Sequence, residues 1–399
     1  MEKNAFWRPI HPTHGAEKIN IKKTITTLLI LTVIFGIGAY IVFQQRDQNA
    51  QQSNVDWSPT FHHDLAHTGH STSTGPLTNQ TLWSYLTEND IEYPSPAVVD
   101  GVAYFGSNDY RVHAVNASTG SKIWSYLTGS SVESSCTVAD GIVYFGSDDN
   151  NVYALDATTG GKIWNFTTKG DVYSTPAVVD GVVYVGSTDH NLYALDAATG
   201  SKIWSYLTSN SVYSAPAVVN GVIYVNSYHT AYALDAATGN KIWNFSTGGR
   251  MYSSSAVVNG RVYFGADDTV YALDAASGKK MWNYTTGGVG ESSPAVANSV
   301  VYIGSNDHNV YAFDAATGNK VWNYTTGNEV NGSPTVANGV IYFGSKDNNV
   351  YALYASTGSK IWSFATGSQI ESTPSIANGI LYIGSNDNKV YAFGSIAAP

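Results

Sequence analysis

Eight tryptophans recur along the chain at a nearly fixed interval, and this regularity limits the fold more than any other feature of the sequence. They are Trp83, Trp124, Trp164, Trp204, Trp243, Trp282, Trp322 and Trp362. The intervals between them are 41, 40, 40, 39, 39, 40 and 40 residues. Such a period is typical of proteins in which one supersecondary unit is copied many times.

Each unit reads as four short strands. From Val172 to Thr208 the sequence is VYSTPAVVDGVVYVGSTDHNLYALDAATGSKIWSYLT, which divides into segments around SxPAVV, GVVYVGS, NLYALD and KIWSYLT. These segments are rich in β-branched and aromatic residues and lack the 3.6-residue periodicity of a helical solenoid. Asn-Gly or Asp-Gly, which suits a two-residue type I′ hairpin, separates the first two strands everywhere except at Asn298-Ser299. The unit is therefore predicted to be a four-stranded antiparallel propeller blade.

The number of copies predicts how the ring closes. The first three strands each occur eight times, and the last of them ends at Phe393. The tryptophan strand also occurs eight times, but it begins one element earlier, at Trp83. We therefore expect Leu82–Leu86 to pair with the last unit and to close an all-β, eight-bladed propeller that has no open edge.

The run ALDAATGSKIW at 194–204 and its copies resemble the tryptophan-docking repeat of quinoprotein (PQQ-like) β-propellers, and the lead-in WSPTFHHDLAHTG at 57–69 resembles that family too. The likeness covers residues 57–399 and implies that each repeat Trp packs against the neighbouring blade. Asn116 and Tyr354 replace the Asp of the pattern in two units. The family includes dehydrogenases and non-catalytic scaffolds such as BamB, and we place this chain with the non-catalytic branch.

An uncharged apolar run of 20 residues, from Thr24 to Phe43, precedes the repeats. As a helix it would span roughly 30 Å, the thickness of a bilayer's hydrocarbon core. The alternative is a cleaved signal peptide, but the run is long and Gln44–Asp47 offers no small-residue cleavage site. Basic residues concentrate before it. We therefore expect a cytoplasmic tail (1–23), an anchor (24–43), a polar tether (44–56) and a propeller (57–399) that is extracellular or periplasmic.

The innermost strands predict a binding surface. Two residues before the Ser or Thr of each SxPAVV segment, one side chain per unit should circle a mouth of the central channel. These channel-mouth residues are Tyr93, Glu133, Tyr173, Tyr213, Tyr252, Glu291, Asn331 and Glu371. Tyrosine and carboxylate side chains together suit a peptide, a glycan or a cation. The loops on the same face carry Asp109, Asp149, Asp189, Asp268, Asp307, Asp347 and Asp387, for which turn formation is the simpler interpretation.

Resemblance to quinoprotein dehydrogenases implies PQQ at the propeller axis, with calcium, a base, a stacking Trp and a ring of adjacent disulfide-bonded cysteines. The sequence argues against both cofactors. Cys136 is the single cysteine and is predicted to be a buried core residue. The repeat uses eight of the ten tryptophans, and Trp7 and Trp57 lie outside it. His62, His63, His67 and His70 could bind a metal, but we expect packed or solvated histidines in a lead-in lying along the ring surface.

The net charge and the N-glycosylation sequons indicate which partners and modifications the surface suits. The formal net charge of -10 excludes binding to a phosphate backbone. Sequons recur after the repeat Trp, at positions predicted to be accessible: Asn165, Asn244, Asn283 and Asn323.

The sequence therefore predicts a membrane-anchored, non-catalytic scaffold that binds a cell-surface or membrane protein, or a small ligand, peptide or glycan. Two alternatives stay open. One is a minimal dehydrogenase that depends on PQQ and calcium. The other is a ligand sensor coupled to a membrane partner.

Overall fold

A computed structural model describes residues 56–395. The predicted tail, the anchor and all of the tether before Asp56 lie outside the described residues. Within the described part of the chain, no helix is long and apolar enough to span a bilayer.

The described chain folds into eight blades of four antiparallel strands, and in the seventh blade a short N-terminal strand adds a fifth, parallel strand to the sheet. Two strands precede the first sheet: β1 (His70–Ser71) and β2 (Thr81–Leu86). Blades 1 to 4 comprise β3 (Ala97–Val99), β4 (Val102–Ser107), β5 (Arg111–Asn116), β6 (Lys122–Leu127); β7 (Thr137–Ala139), β8 (Ile142–Gly146), β9 (Asn151–Asp156), β10 (Lys162–Thr167); β11 (Ala177–Val179), β12 (Val182–Gly186), β13 (Asn191–Asp196), β14 (Lys202–Leu207); β15 (Ala217–Val219), β16 (Val222–Ser227), β17 (Thr230–Asp235), β18 (Lys241–Ser246). Blades 5 to 8 comprise β19 (Ala256–Val258), β20 (Arg261–Ala266), β21 (Thr269–Asp274), β22 (Lys280–Thr285); β23 (Ala295–Ala297), β24 (Val300–Gly304), β25 (Asn309–Asp314), β26 (Lys320–Thr325); β27 (Thr335–Ala337), β28 (Val340–Gly344), β29 (Asn349–Tyr354), β30 (Lys360–Ala365); β31 (Ser375–Ala377), β32 (Ile380–Ser385), β33 (Lys389–Phe393).

Strand β2 closes the ring, as the strand count predicts. It pairs antiparallel with β33, and Ser84 lies opposite Tyr391. Trp83 of this strand is buried in one apolar cluster with Phe105 of blade 1 and Tyr382 of blade 8. The first and last parts of the propeller therefore share a core.

The hairpins between the two inner strands have the predicted type I′ geometry. Asp100 and Gly101 have φ of 50° and 76°, and the other turns repeat these values closely. Asn298 and Ser299 adopt the same conformation at 50° and 63°. Ser299 thus holds a positive φ that favours glycine.

Hydrogen bonds from the repeat tryptophans and from second-strand tyrosines join neighbouring blades. The Nε1–H of Trp124 and the hydroxyl of Tyr104 both donate to the Ala157 carbonyl of the next blade, at 2.9 and 3.2 Å. At the one interface where the last blade has no such alanine, Trp362 and Tyr342 donate instead to Pro76, at 3.0 and 3.1 Å. The N-terminal segment therefore substitutes for a missing turn at this interface.

The lead-in (57–69) lies inside the channel and not along the ring surface, so that expectation was wrong. Its backbone bonds to inner strands of six blades, from Val98, which pairs with Ser58, to Val336, which donates to Gly69. An innermost strand leaves one edge of backbone groups unpaired, and those groups need partners. The lead-in supplies them, and it buries His62 and His67 to 3% and 2% exposure.

Candidate functional site

All eight channel-mouth residues gather around one cavity of about 260 Å³. Each of them stands four residues before an innermost strand, so Tyr173 precedes Ala177 and Glu291 precedes Ala295. The closed ring then places the same position of every unit at the same height. The repeat register alone brings these side chains together.

A second layer of small polar residues lies below the mouth. Ser135, Thr175, Ser254, Ser293, Ser333 and Thr373 line the cavity two residues after the channel-mouth positions, and Ala215 takes this place in blade 4. Their hydroxyl oxygens accept hydrogen bonds from the backbone of the preceding blade; the N–H of Ser254, for example, lies 2.8 Å from Ser293 Oγ. Phe61 of the lead-in also lines the cavity. Because the lead-in bonds to the inner strands beyond this layer, Phe61 forms the floor.

Three consecutive blades contribute tyrosine to the mouth, and we call Tyr173, Tyr213 and Tyr252 the aromatic arc. Ring centroids are 5.7 Å apart for Tyr173 and Tyr213, and 5.2 Å apart for Tyr213 and Tyr252. Tyr228, from the loop after β16, packs against Tyr213 and Tyr252 with centroids at 6.3 and 5.5 Å. Aromatic pairs at these separations attract one another, so the arc is a supported wall.

Carboxyl groups flank the arc on both sides. Burial, followed by the charges of Asp148 and Glu92, raises the pKa of Glu133 to about 8. Burial and then the Glu371 carboxylate raise the pKa of Glu291 to about 7. Asp148 follows the same pattern, with its pKa raised to about 7 by burial and by Asp171. Protons are therefore held at this mouth near neutral pH.

One lysine partly neutralises the opposite side of the mouth. Lys346 Nζ lies 3.1 Å from Glu371 Oε2 and 3.4 Å from Glu329 Oε2. Glu371 also accepts a 3.4 Å hydrogen bond from Asn386 Nδ2. In the described part of the chain, the ion pairs do not extend to Glu133 or Glu291.

Two of the eight channel-mouth residues have a buried polar atom without a hydrogen-bond partner. The atoms are Oδ1 of Asn331, a residue only 8% exposed, and Oε2 of Glu291; Oδ1 of the nearby Asp148 is in the same state. A buried acceptor that lacks a partner carries a free-energy cost of about 1–3 kcal/mol. Such atoms in a cavity are positioned to accept hydrogen bonds from a ligand.

Several residues of this site were not predicted: Phe61, Tyr228, Lys346, Asp148 and Glu92. Tyr228 stands after β16, in the loop where other units carry Asp. This departure from the repeat is the signal that could have identified it. The repeat carries no comparable signal for Phe61, which reaches the cavity from the lead-in.

The loop aspartates hold turns and partner tyrosines. Asp149 accepts hydrogen bonds from the N–H groups of Asn151 and Gly129, at 3.1 and 2.7 Å, and from the Tyr153 hydroxyl at 2.7 Å. These bonds lower the pKa of Asp149 although burial opposes them. Asp189, Asp307 and Asp347 repeat the arrangement. Turn formation therefore accounts for Asp149, Asp189, Asp307 and Asp347.

Two of the lead-in histidines, His62 and His67, are buried packing groups, and His63 lies 3.3 Å from Asp56. Burial lowers the pKa of His62 to about 4 and that of His67 to about 3, so both are neutral at pH 7. Within residues 56–395, no cluster of three or more His, Cys, Asp or Glu is arranged to hold a metal ion. Cys136 is fully buried, and burial raises the pKa of its thiol.

The four sequon residues predicted to be accessible stand on the outermost strands. Asn165, Asn244, Asn283 and Asn323 are all exposed. Their glycosylation stays a prediction.

Comparison with protein families decides what kind of chain this is. The model for outer membrane protein assembly factor BamB matches at residues 69–172, 108–227, 148–265, 227–332 and 308–395, which together span most of the chain. The chain belongs to the BamB family. No curated protein sequence matches this BamB-family propeller.

Solved structures share its fold at low sequence identity. BamB from Moraxella catarrhalis matches with a TM-score of 0.68 and 20% identity, over 79% of this chain and 99% of that one. Quinohemoprotein alcohol dehydrogenase from Comamonas testosteroni matches with a TM-score of 0.75 and 17% identity, over 86% of this chain and 82% of that one. A europium-containing methanol dehydrogenase matches with a TM-score of 0.74 and 14% identity, over 85% of this chain and 98% of that one. These likenesses include both enzymes and a BamB, and they establish the fold alone.

The residues of the cavity do not suit a quinone cofactor of the PQQ type. Such a quinone is a polycarboxylate anion, which needs cationic or N–H donors. The cavity wall instead carries Glu133, Glu291 and Glu371, and the nearby Lys346 is already paired with two carboxylates. Where these side chains are ionised, they repel the carboxylates of such a quinone. The acidic side chains of the cavity wall favour a positively charged ligand instead.

Proposed function

We propose that this BamB-family propeller is a non-catalytic binding scaffold whose channel mouth receives a protein partner or a small ligand, without a resident cofactor. One observation carries the proposal. Eight side chains of mixed type converge on a single cavity, and two of them present buried acceptors that lack partners. Turn or core residues do not need such an arrangement, whereas a binding site does.

Presentation of the propeller on a membrane is part of the same proposal. The apolar run from Thr24 to Phe43 would anchor the chain with its N-terminus in the cytoplasm. The propeller would then face the exterior or the periplasm, where a cell-surface or membrane protein could reach the mouth. Protease treatment of intact cells tests this arrangement, because an externally displayed propeller is accessible to added protease and a cytoplasmic one is not.

A photocrosslinking experiment tests the binding role. The full chain in its native membrane carries benzoylphenylalanine at Tyr93, on the mouth, or at Tyr354, an outer turn residue that is 50% exposed. We expect a discrete crosslinked product from position 93 that is absent from position 354. Equal crosslinking from both positions, or none from position 93, would contradict a role for the mouth.

A quinone-dependent dehydrogenase is the second candidate, because two enzymes of this type share the fold. Its test is direct. The purified protein is mixed with PQQ and calcium, and dye-linked oxidation of alcohols and sugars is measured. The acidic cavity leads us to expect no turnover and no stoichiometric quinone binding. Measured turnover, or stoichiometric binding of the quinone, would instead favour the enzyme.

A further inference from the structure

The aromatic arc and its flanking carboxyl groups define the chemistry of the ligand, and this step rests on the proposed binding role of the mouth. Glu133 of blade 2 and Glu291 of blade 6 stand on either side of the tyrosines of blades 3, 4 and 5. The cavity wall therefore alternates from carboxyl to aromatic to carboxyl. Aromatic faces carry partial negative charge, so both kinds of group attract a cation.

Among residues 56–395, no lysine or arginine lies over the rings of the aromatic arc. In the part that the structure describes, the lysines placed over aromatic rings are Lys320 and Lys389, and they lie over the outer tyrosines Tyr311 and Tyr391. Lys346 is paired with Glu329 and Glu371 on the other side of the mouth. Arg250 is near enough to Tyr252 to act on its pKa, but its side chain is exposed.

An independent observation points to a ligand that also donates hydrogen bonds. Asn331 is more than nine-tenths buried and lines the cavity, yet its Oδ1 has no partner. Oε2 of Glu291, on the adjacent blade, is in the same situation. Both atoms are acceptors whenever Glu291 is ionised, so an N–H donor would satisfy them together.

We propose that the channel mouth binds an organic cation, whose ammonium group lies against the aromatic arc and is neutralised by Glu133 and Glu291. A primary amine would in addition donate to Asn331 Oδ1. Such an ammonium group can belong to a free amine or to a lysine side chain of a partner protein. The cavity of about 260 Å³ has room for either an alkylammonium group or a single side chain.

Cation binding should release protons. Burial raises the pKa of Glu133 and Glu291 to about 8 and about 7, so a large share of these groups is protonated near neutral pH. A bound cation favours the ionised form and displaces the proton. The charged groups that face the pair are Asp90, Glu92, Asp148, Glu329, Lys346 and Glu371. Most of them are acidic, so affinity should rise as the pH increases from 6 to 9.

The test compares choline with its neutral carbon isostere, 3,3-dimethylbutan-1-ol, by calorimetric titration of the full chain at pH 8.5. A cation–aromatic contact in a buried site predicts at least tenfold tighter binding of choline. Cadaverine and an acetylated, amidated pentapeptide with a central lysine then distinguish a free amine from a lysine side chain. A norleucine peptide is the control for the lysine peptide.

Variants connect the binding to these residues. Tyr213→Leu and Glu291→Gln should each weaken choline binding about tenfold or more. Equivalent positions of other blades hold Tyr, Glu or Asn, so the blade does not require one particular side chain at this position. Asp100→Asn is the matched control, because it removes an exposed carboxylate from a hairpin where other units carry Asn. A cooperative circular dichroism melting transition checks that each variant is folded.

The outcomes separate this inference from the proposed function. No saturable binding of any of the cations, equal binding of choline and its isostere, or equal loss of binding in Asp100→Asn would overturn the inference. A partner crosslinked at position 93 without ammonium binding would also overturn it, while the scaffold role would stand. Choline binding that depends on Tyr213 and Glu291 would support it, even if no crosslinked partner appears.

Discussion

At the scale of single residues, Ser299 departs most clearly from the repeat. It occupies a hairpin position with φ of 63°, where the other seven units place glycine. A side chain in this left-handed region costs about 1–2 kcal/mol. Ser299→Gly should therefore raise the free energy of unfolding by about 1 kcal/mol. Denaturant unfolding measures the change. Ser299→Ala, which keeps the Cβ atom, is the control and should give no gain; equal stabilisation by both variants would contradict the explanation.

The residues of the mouth show how far a repeat carries a prediction. Equivalent positions in a closed ring must meet, so the convergence of Tyr93, Glu133 and the six others could be predicted before any coordinates. Tyr228 was missed although its loop departs from the Asp-containing loops of the other units. Lys346 stands at a loop position that varies from unit to unit, so the repeat does not indicate its ion pair with Glu371. The raised pKa of Glu133 depends on its burial beside Asp148, which only the folded ring creates.

At the scale of elements, the closing strand was predictable and the path of the lead-in was not. Counting the strand copies leaves one place for β2, and hydrogen bonding to β33 fills it. The lead-in has no repeat and no regular strand pattern. Its position follows from backbone groups of the inner strands that need partners, and sequence patterns do not display that need.

Closure by strand pairing should make the seam between blades 8 and 1 as strong as an interface within the continuous chain. Trp83 Nε1 donates to Ala117 at 2.9 Å, as Trp164 does to Ala197 at 2.9 Å. Trp83→Ala and Trp164→Ala should therefore lower the free energy of unfolding by similar amounts, about 3–5 kcal/mol each. Thermal unfolding followed by circular dichroism compares them. Ile123→Ala, at a side chain 47% exposed, is the control with little effect. A far lower melting temperature for Trp83→Ala alone would mean a weak seam.

At the scale of the whole molecule, the acidic mouth links stability to pH. The folded state raises the pKa of Glu133 from 4.5 to about 8 and that of Glu291 from 4.5 to about 7. Between pH 4.5 and these raised pKa values, the folded chain holds more protons on the two carboxyl groups than the unfolded chain does. Their contribution to the free energy of unfolding is therefore full below pH 4.5 and is lost as the pH rises through 7 and 8.

Glutamine at both positions removes this dependence, since an amide does not titrate in this range. We expect the double variant Glu133→Gln, Glu291→Gln to match the parent near pH 5 and to be the more stable protein at pH 9, as measured by denaturant unfolding at both values. His62 and His67 titrate on the acid side in both proteins, because their pKa values are lowered to about 4 and about 3, so their effect cancels in the difference. Asp100→Asn should show no such divergence. A difference between the double variant and the parent that stays constant from pH 5 to 9 would mean that these carboxyl groups are already ionised at neutral pH, and that the mouth carries its full negative charge before any ligand arrives.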